Sequence, residues 1–395
     1  MDLVSESGSC IASCPSGVTV TGLADGSNML KLCSKSGAIH SANNITIKYC
    51  DVDIINESNI AVTCPNGVTI EGVATGDKVN TVIVRSAGDC IGTSNPVTIS
   101  YCNVEMTGTT QTDNVYDACG SSGITTSGGV VITGRTDVTN TLKVRCGGNT
   151  TSSCYGISGG NNPVTISHYN VDIVNEKGYG ISTAYDVTIT GGQVEITGGT
   201  NGKGIYSAIG NITLGWINPT DYIKASSYFV SEINSMKTAE GQRFVAYDGD
   251  YATAVFSGSI SGLDNTFIGN LAGKTLRPLD GNVFTKYVPQ DKPGSFTIAL
   301  PALPDGAAYS FTKTDEGGII ASHAYDAEHN TLTVATNSGT TSGTAATIAV
   351  AATGATNYND YNFTLNVVVS EYTTTYAWNP QTNIYLIGND WAFYT

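Results

Sequence analysis

One stretch of eleven residues recurs along the first half of the chain, and its spacing leaves few folds open. NITIKYCDVDI (44–54) returns as PVTISYCNVEM (96–106), PVTISHYNVDI (163–173) and DVTITGGQVEI (186–196). Each copy has an apolar-polar-apolar triplet, a four-residue bend and a second triplet, as in Ile45 and Ile47 followed by Val52 and Ile54. Apolar residues two apart, drawn from Val and Ile with Thr between, put one face of a strand inward; a helix would space them three and four apart.

Further first triplets stand at GVTVTG (17–22), GVTIEG (67–72) and GVVITG (129–134), and a last one at NITLG (211–215). Their leading residues are Val18, Ile45, Val68, Val97, Val130, Val164, Val187 and Ile212, spaced 23 to 34 residues apart. One turn of a three-sided coil needs about this many, and repeats of this period signal a solenoid. A third short strand per turn fits at 37–39, 90–91, 156–157, 180–181 and 204–205. The expected fold is all-β: a right-handed parallel β-helix of about eight turns.

A second order of repetition lies over the first. After Val18, Val68 and Val130 the second strand begins 12, 14 and 12 residues on, at Leu30, Val82 and Leu142, instead of 7. Long-cornered and short-cornered turns therefore alternate as far as Val164, and CPSG (14–17) and CPNG (64–67) open the two-turn unit. The extra residues, such as 23–29 and 73–81, must bulge from one edge, where solenoids tend to keep their binding surface.

Composition narrows the partners. With a net charge of −15 and Lys and Arg few and scattered, neither nucleic acid nor an anionic membrane is expected to bind. No run of 18 apolar residues is present, so no membrane insertion is expected. The opening MDLVSESGSC lacks the basic and apolar regions of a signal peptide, which implies a removed signal or another export route.

All ten cysteines, Cys10, Cys14, Cys33, Cys50, Cys64, Cys90, Cys102, Cys119, Cys146 and Cys154, fall in the first 154 residues. An even number confined to one region reads as disulfide cross-linking outside the cell, and all ten are disulfide candidates. Cys14 and Cys64 share a site two turns apart, as do Cys50 and Cys102. At ~4.8 Å per turn those partners lie ~9–10 Å apart, beyond disulfide reach. Bridges between neighbouring turns or across a corner remain open, as do free cysteines stacked in the core. The CxxxC at Cys10 and Cys14 lacks a His-bearing second half, so zinc is not expected.

In chain order, residues 1–12 carry no evident cap, and residues 1–215 form the β-helix domain. From Trp216 the spacing breaks, and 216–287 read as irregular last turns and a cap. VPQDKPG (288–294) reads as a linker. Alternating runs within 295–372 suggest a small β-sandwich, and 373–395 form an aromatic-rich tail with Trp378 and Trp391 as candidate sugar or subunit contacts.

NITLGWINPTDYIKASSYF (211–229), SGSIS (257–261) and GKTLRPLDG (273–281) resemble the closing segment of VTITGG-repeat β-helix surface proteins of gut anaerobic bacteria. More loosely, the repeats resemble carbohydrate-binding β-helix proteins of clostridia. TNYNDYNFTLNVVV (356–369) resembles the last strands of the immunoglobulin-like modules of such surface proteins. The resemblance implies a β-helix followed by an immunoglobulin-like β-sandwich that serves as a spacer. This chain departs from the pattern where Tyr49-Cys50 and Tyr101-Cys102 replace Gly-Gly.

The outward column of the second strands reads Lys31, Asp53, Ile83, Glu105, Lys143, Asp172 and Glu195. Acids on short turns next to lysines on long ones suggest charge compensation along an exposed sheet. Asp172 and Glu195 are adjacent acids, and they are the candidates for a sugar or weak calcium contact; no other cofactor is expected. The four histidines, His40, His168, His323 and His329, are scattered, and no GxSxG, HExxH or phosphate-binding loop occurs. No enzyme is therefore expected, and a polysaccharide lyase or hydrolase stands as the last alternative. The first expectation is an extracellular or cell-surface adhesin or carbohydrate-binding protein with a polysaccharide or glycan partner. The second is a self-assembling subunit of a fibre, sheath or surface layer with copies of itself as partners, and the third is a phage tail protein.

Overall fold

A computed structural model of the chain describes all residues except 110, 113–114, 148–153, 201, 219, 249–250, 279–282, 291–292, 301–306, 355–360, 371–374, 380–382 and 388–395. The protein is all-β, with 57% of residues in strands and 2% in helix, and long sheets of parallel strands dominate it. Two compact units divide the chain: Met1–Gln242 with Gly258–Pro278, and Arg243–Ser257 with Leu279–Thr395.

In the first unit the chain visits three sheets in rotation, so each strand pairs with the strand one turn earlier and one turn later. One turn runs from Ile45–Lys48 in the third sheet to Cys50–Asn56 in the first and Val62–Cys64 in the second, before Val68–Glu71 rejoins the third. This topology is compatible with a β-solenoid. All eight leading residues are in register, Val18 with Ile45, Ile45 with Val68, and so on through Val187 with Ile212. Their side chains are buried, as are those of the second triplets such as Leu30, Val52, Val82 and Val104, because alternate residues of each strand face inward. Apolar ladders of Val, Ile and Leu therefore form the core, and Tyr169 is the largest side chain fully buried within it.

The structure extends the coil at both ends. Asp2–Ser5 pairs with Asn28–Ser34 and Ile11–Cys14 pairs with Ile39–Ser41, so the first strands lie before residue 13. Beyond Trp216, Tyr222–Ala225, Tyr228–Val230 and Ser235–Thr238 add one more parallel strand to each sheet. Ser259–Ser261 then pairs antiparallel with Ser235–Thr238, and Thr275–Pro278 pairs antiparallel with Tyr222–Ala225. Between these two lies the short helix Asn265–Asn270, whose first turn is capped by the Asp264 carboxylate accepting from the Phe267 amide at 3.0 Å.

The second unit contains a four-stranded sheet ordered Val283–Pro289, Tyr361–Ser370, Ala345–Thr353, Ala308–Thr314. A three-stranded sheet is ordered Gly294–Ala299, Thr331–Thr336, Ile320–Asp326. Leu332 and Val334 of the smaller sheet share one buried cluster with Ile348, Val350, Leu365 and Val367 of the larger. Val245, from the hairpin Arg243–Asp248 and Tyr251–Ser257, joins that cluster. Val283–Pro289 runs parallel to Tyr361–Ser370, so the start of the expected linker lies within a paired strand.

Candidate groove and notch on the first sheet

The outward column read from the sequence is in register along the first sheet: Lys31 beside Asp53, then Ile83, Glu105, Lys143, Asp172 and Glu195, with Lys224 next. Asp172 and Glu195 are direct neighbours across the ladder. Over them runs an open groove of about 560 Å³, lined among others by Asn103, Glu105, Lys143, Asn170, Asp172, Gln193, Glu195 and Tyr222.

Each acid has its own donor. Arg85 meets Asp53 at 2.5 Å, Lys143 meets Glu105 at 3.6 Å, and Arg145 pairs with Asp172. Glu195 accepts from the Tyr222 hydroxyl at 3.1 Å, and burial together with that carboxylate raises the phenol above its ordinary pKa. The Arg277 guanidinium sits 5.6 Å from the centre of the Tyr222 ring, within cation–π range. The like charges of Asp172 and Glu195 are thus each met by protein groups. Among the described residues, no cluster of three or more His, Cys, Asp or Glu is placed to hold a metal ion.

A second column flanks the charges. Asp51, Asn103 and Asn170 accept from the backbone amides of Thr81, Thr141 and Gln193 one turn on, at 2.8, 2.9 and 2.8 Å. These contacts tie the start of each following strand to the turn before it. Asp51 also accepts from Lys78 at 2.7 Å and Asn80 at 3.3 Å. Burial pushes its pKa up, but these donors outweigh burial and hold it below the usual value.

The long corners build a wall beside the groove. Each closes on an asparagine at its far end: the Leu23 amide donates to Asn28, the Val73 amide to Asn80 and the Arg135 amide to Asn140. Successive loops are tied together, since Asn80 donates to the Gly26 carbonyl at 3.0 Å, and Arg135 to the carbonyls of Lys78 and Gly76 at 2.9 and 2.6 Å. The alternation then fails, because the turns that begin at Val164 and Val187 are both short-cornered. The missing loop leaves a notch of about 250 Å³ between Arg135 and Asp137 on one side and Ile217, Asn218 and Asp221 on the other. His168, Asn170 and Gln193 also line it, and the last two line the groove as well, so the two cavities adjoin. Asp221 holds its side of the notch by accepting from the amides of Ile217 and Asn218 at 2.7 and 2.8 Å.

The other sequence candidates fall elsewhere. Trp378 lies in the strand Thr375–Asn379 of the second unit, and Trp391 lies outside the described residues. The expected disulfide framework is not what the structure contains: Cys10, Cys14, Cys33, Cys50, Cys64, Cys90, Cys102, Cys119, Cys146 and Cys154 are all free thiols. Seven of them are buried, packed as small apolar side chains within the coil. Burial pushes Cys102 up to about 12, so that thiol stays protonated.

Sequence reasoning missed an aromatic ladder on the second sheet. Tyr155, Tyr179, Tyr206 and Phe229 follow one another in contact, with ring centres 5.8, 5.1 and 4.8 Å apart. Its signal was the aromatic residue beside each third-strand Gly-Ile pair. Tyr155 stacks on Tyr179 and Tyr206 on Phe229, while Tyr179 and Tyr206 meet at a tilt of 60°, and these contacts make the ladder first a support for the sheet.

No family model, no curated protein and no solved structure matches this chain.

Proposed function

We propose that the first unit is a right-handed parallel β-helix that binds a polysaccharide or glycan chain along the groove and notch. The protein is then a non-catalytic extracellular or cell-surface binding protein, with the second unit an immunoglobulin-like spacer. The observation that carries this reading is that the groove and the notch adjoin along the first sheet and share Asn170 and Gln193 in their walls. A groove whose polar groups recur once per turn, at ~4.8 Å, suits an extended ligand that repeats, not a compact one. The groove presents the amide, hydroxyl and carboxylate side chains of Asn103, Thr141, Asn170, Gln193 and Glu195 with the Tyr222 ring, the kind of groups that fix a sugar by hydrogen bonds. The acids of the groove, Glu105, Asp172 and Glu195, are held by Lys143, Arg145 and Tyr222, an arrangement that favours recognition over acid–base chemistry.

The test is a glycan array read with and without calcium, followed by calorimetry on the best oligosaccharide. Gln193→Ala and Tyr222→Ala should each weaken binding at least about tenfold, the equivalent of one buried polar contact of ~1.4 kcal/mol. A ligand that binds the two variants as well as the parent, or a protein that retains nothing on a broad array, sinks the proposal.

A further inference from the structure

The corner between the first and second sheets is lined by a buried polar ladder formed by the last inward residues of successive first-sheet strands. Ser34 donates to Asn56 at 3.0 Å, and Asn56 donates to Ser86 at 3.3 Å. Later in the coil Asn175 does the same work, donating to the carbonyls of Cys154 and Tyr179 at 2.9 and 2.8 Å. Between these stretches the sequence lengthens after Thr107 and after Cys146, and there cysteine takes the place of the ladder.

Cys146 ends the strand Asn140–Cys146 in register with Asn175, and Cys119 pairs with it as an isolated parallel bridge. The bridge is made by the Cys119 amide donating to Arg145 at 2.8 Å and the Gly147 amide donating to Cys119 at 3.1 Å. Directly paired residues of neighbouring strands have Cα atoms about 4.8 Å apart, inside the 4.4–6.8 Å range of disulfides. Both side chains are fully buried at the same corner of the coil. Cys90 also neighbours Cys119 while donating to the Val84 carbonyl at 3.5 Å, and Cys154 donates to Asn175 at 3.1 Å; the backbone bridge is what singles out Cys146 as the partner of Cys119.

We propose that Cys119 and Cys146 are a disulfide-forming pair that staples the corner together in an oxidising compartment. In the reaction one thiolate attacks a low-molecular-weight disulfide such as oxidised glutathione, forming a mixed disulfide and releasing one reduced thiol. The second cysteine then displaces the other, so two protein thiols are oxidised and one small disulfide is reduced to two thiols. Burial means that the bond forms while the corner is still open during folding, and that once formed it resists reduction in the native state. The inference is independent of the groove, and its failure leaves the proposed ligand site untouched.

The test uses the full chain folded with oxidised and reduced glutathione, alkylated in acid denaturant and digested without reduction. Mass spectrometry should find a peptide pair joined through Cys119 and Cys146, and Cys90→Ser and Cys154→Ser should retain it. The pair should persist when the folded protein is given reductant, and vanish when reductant is given with denaturant. Ten alkylated cysteines after oxidative folding, or Cys119 joined to any other cysteine, overturns the proposal. The Cys90 and Cys154 variants keep the test decisive if Cys119→Ser or Cys146→Ser does not fold.

Discussion

The Arg135 guanidinium donates to the Gly76 carbonyl at 2.6 Å, linking loops 59 residues apart in sequence. The same side chain reaches the Lys78 carbonyl and pairs with Asp137, and Arg135 is only 3% exposed. Its planar fork serves three acceptors at once, which a lysine's single ammonium on a flexible stem does not reproduce. Arg135→Ala and Arg135→Lys should therefore both loosen the wall. Hydrogen exchange of the amides in 73–81 should speed up in each variant, while amides of the inner strands such as Val97–Ser100 stay protected. Unchanged exchange in 73–81 would mean that the loops hold themselves without the tie.

Asn175 offers a sharper energetic test, because it is 1% exposed and uses both ends of its side chain. Its Oδ1 accepts from the amides of Lys177 and Gly178 at 3.0 and 2.7 Å, and its Nδ2 donates to two carbonyls. Asn175→Ala leaves these groups buried and unpaired, at about 2–4 kcal/mol. The exposed Asn66 makes one contact, to Asn43 at 2.9 Å, and Asn66→Ala should stay within about 0.5 kcal/mol of the parent. Urea unfolding midpoints distinguish the two, and equal midpoints would remove the ladder from the account of stability.

Much of the first unit was legible because period-two burial writes itself into sequence. Val18 through Ile212 and Lys31 through Glu195 could be counted into columns before any coordinate was known, and those columns are in register. The notch was not legible, because it arises from a loop that is missing across two consecutive turns, and an absence leaves no motif. The Asn ladder was also hidden, since Asn56 and Asn175 look like ordinary polar residues at strand ends until the corner places them inside. The strands Asp2–Ser5 and Ile11–Cys14 lack the VTI triplet, so their membership depends on pairing with later turns. In the second unit, strand positions followed from alternation, whereas the parallel pairing of Val283–Pro289 with Tyr361–Ser370 brings together segments far apart in sequence.

Asp51 sets an acid limit on the corner loops. Although burial alone would raise its pKa, Lys78, the Thr81 amide and Asn80 together lower it in the folded protein. A carboxylate whose folded pKa is depressed contributes stability above its unfolded value of about 3.9, and that contribution is lost as pH falls through the lower folded value. Thermal midpoints of the parent and Asp51→Asn, compared between neutral pH and pH ~2.5, should converge as pH falls below ~3.9. A gap that stays constant down to the lowest pH would show that the ionised form of Asp51 contributes nothing to stability.

The corner between the third and first sheets poses the last question, which is why two different dipeptides occupy it. Tyr49, Tyr101 and His168 adopt φ values of 55°, 60° and 56°, the left-handed region that glycine prefers, and Gly191 takes 77° at the same place. A non-glycine residue there costs roughly 1–2 kcal/mol, and replacement by glycine returns part of that while adding about 0.5–1 kcal/mol of unfolded-state freedom. Tyr101→Gly should therefore stay within about 1 kcal/mol of the parent. Gly192 differs, because its φ is 91° and a Cβ there would stand 1.9 Å from the Tyr169 carbonyl oxygen. Cys50, Cys102 and Tyr169, at the equivalent position, do not have positive φ, so the Gly-Gly corner is a distinct conformation and not the same one with smaller side chains. Gly192→Ala should cost at least about 2 kcal/mol and narrow the notch beside Gln193. If it proved as mild as Tyr101→Gly, the two corners would be interchangeable.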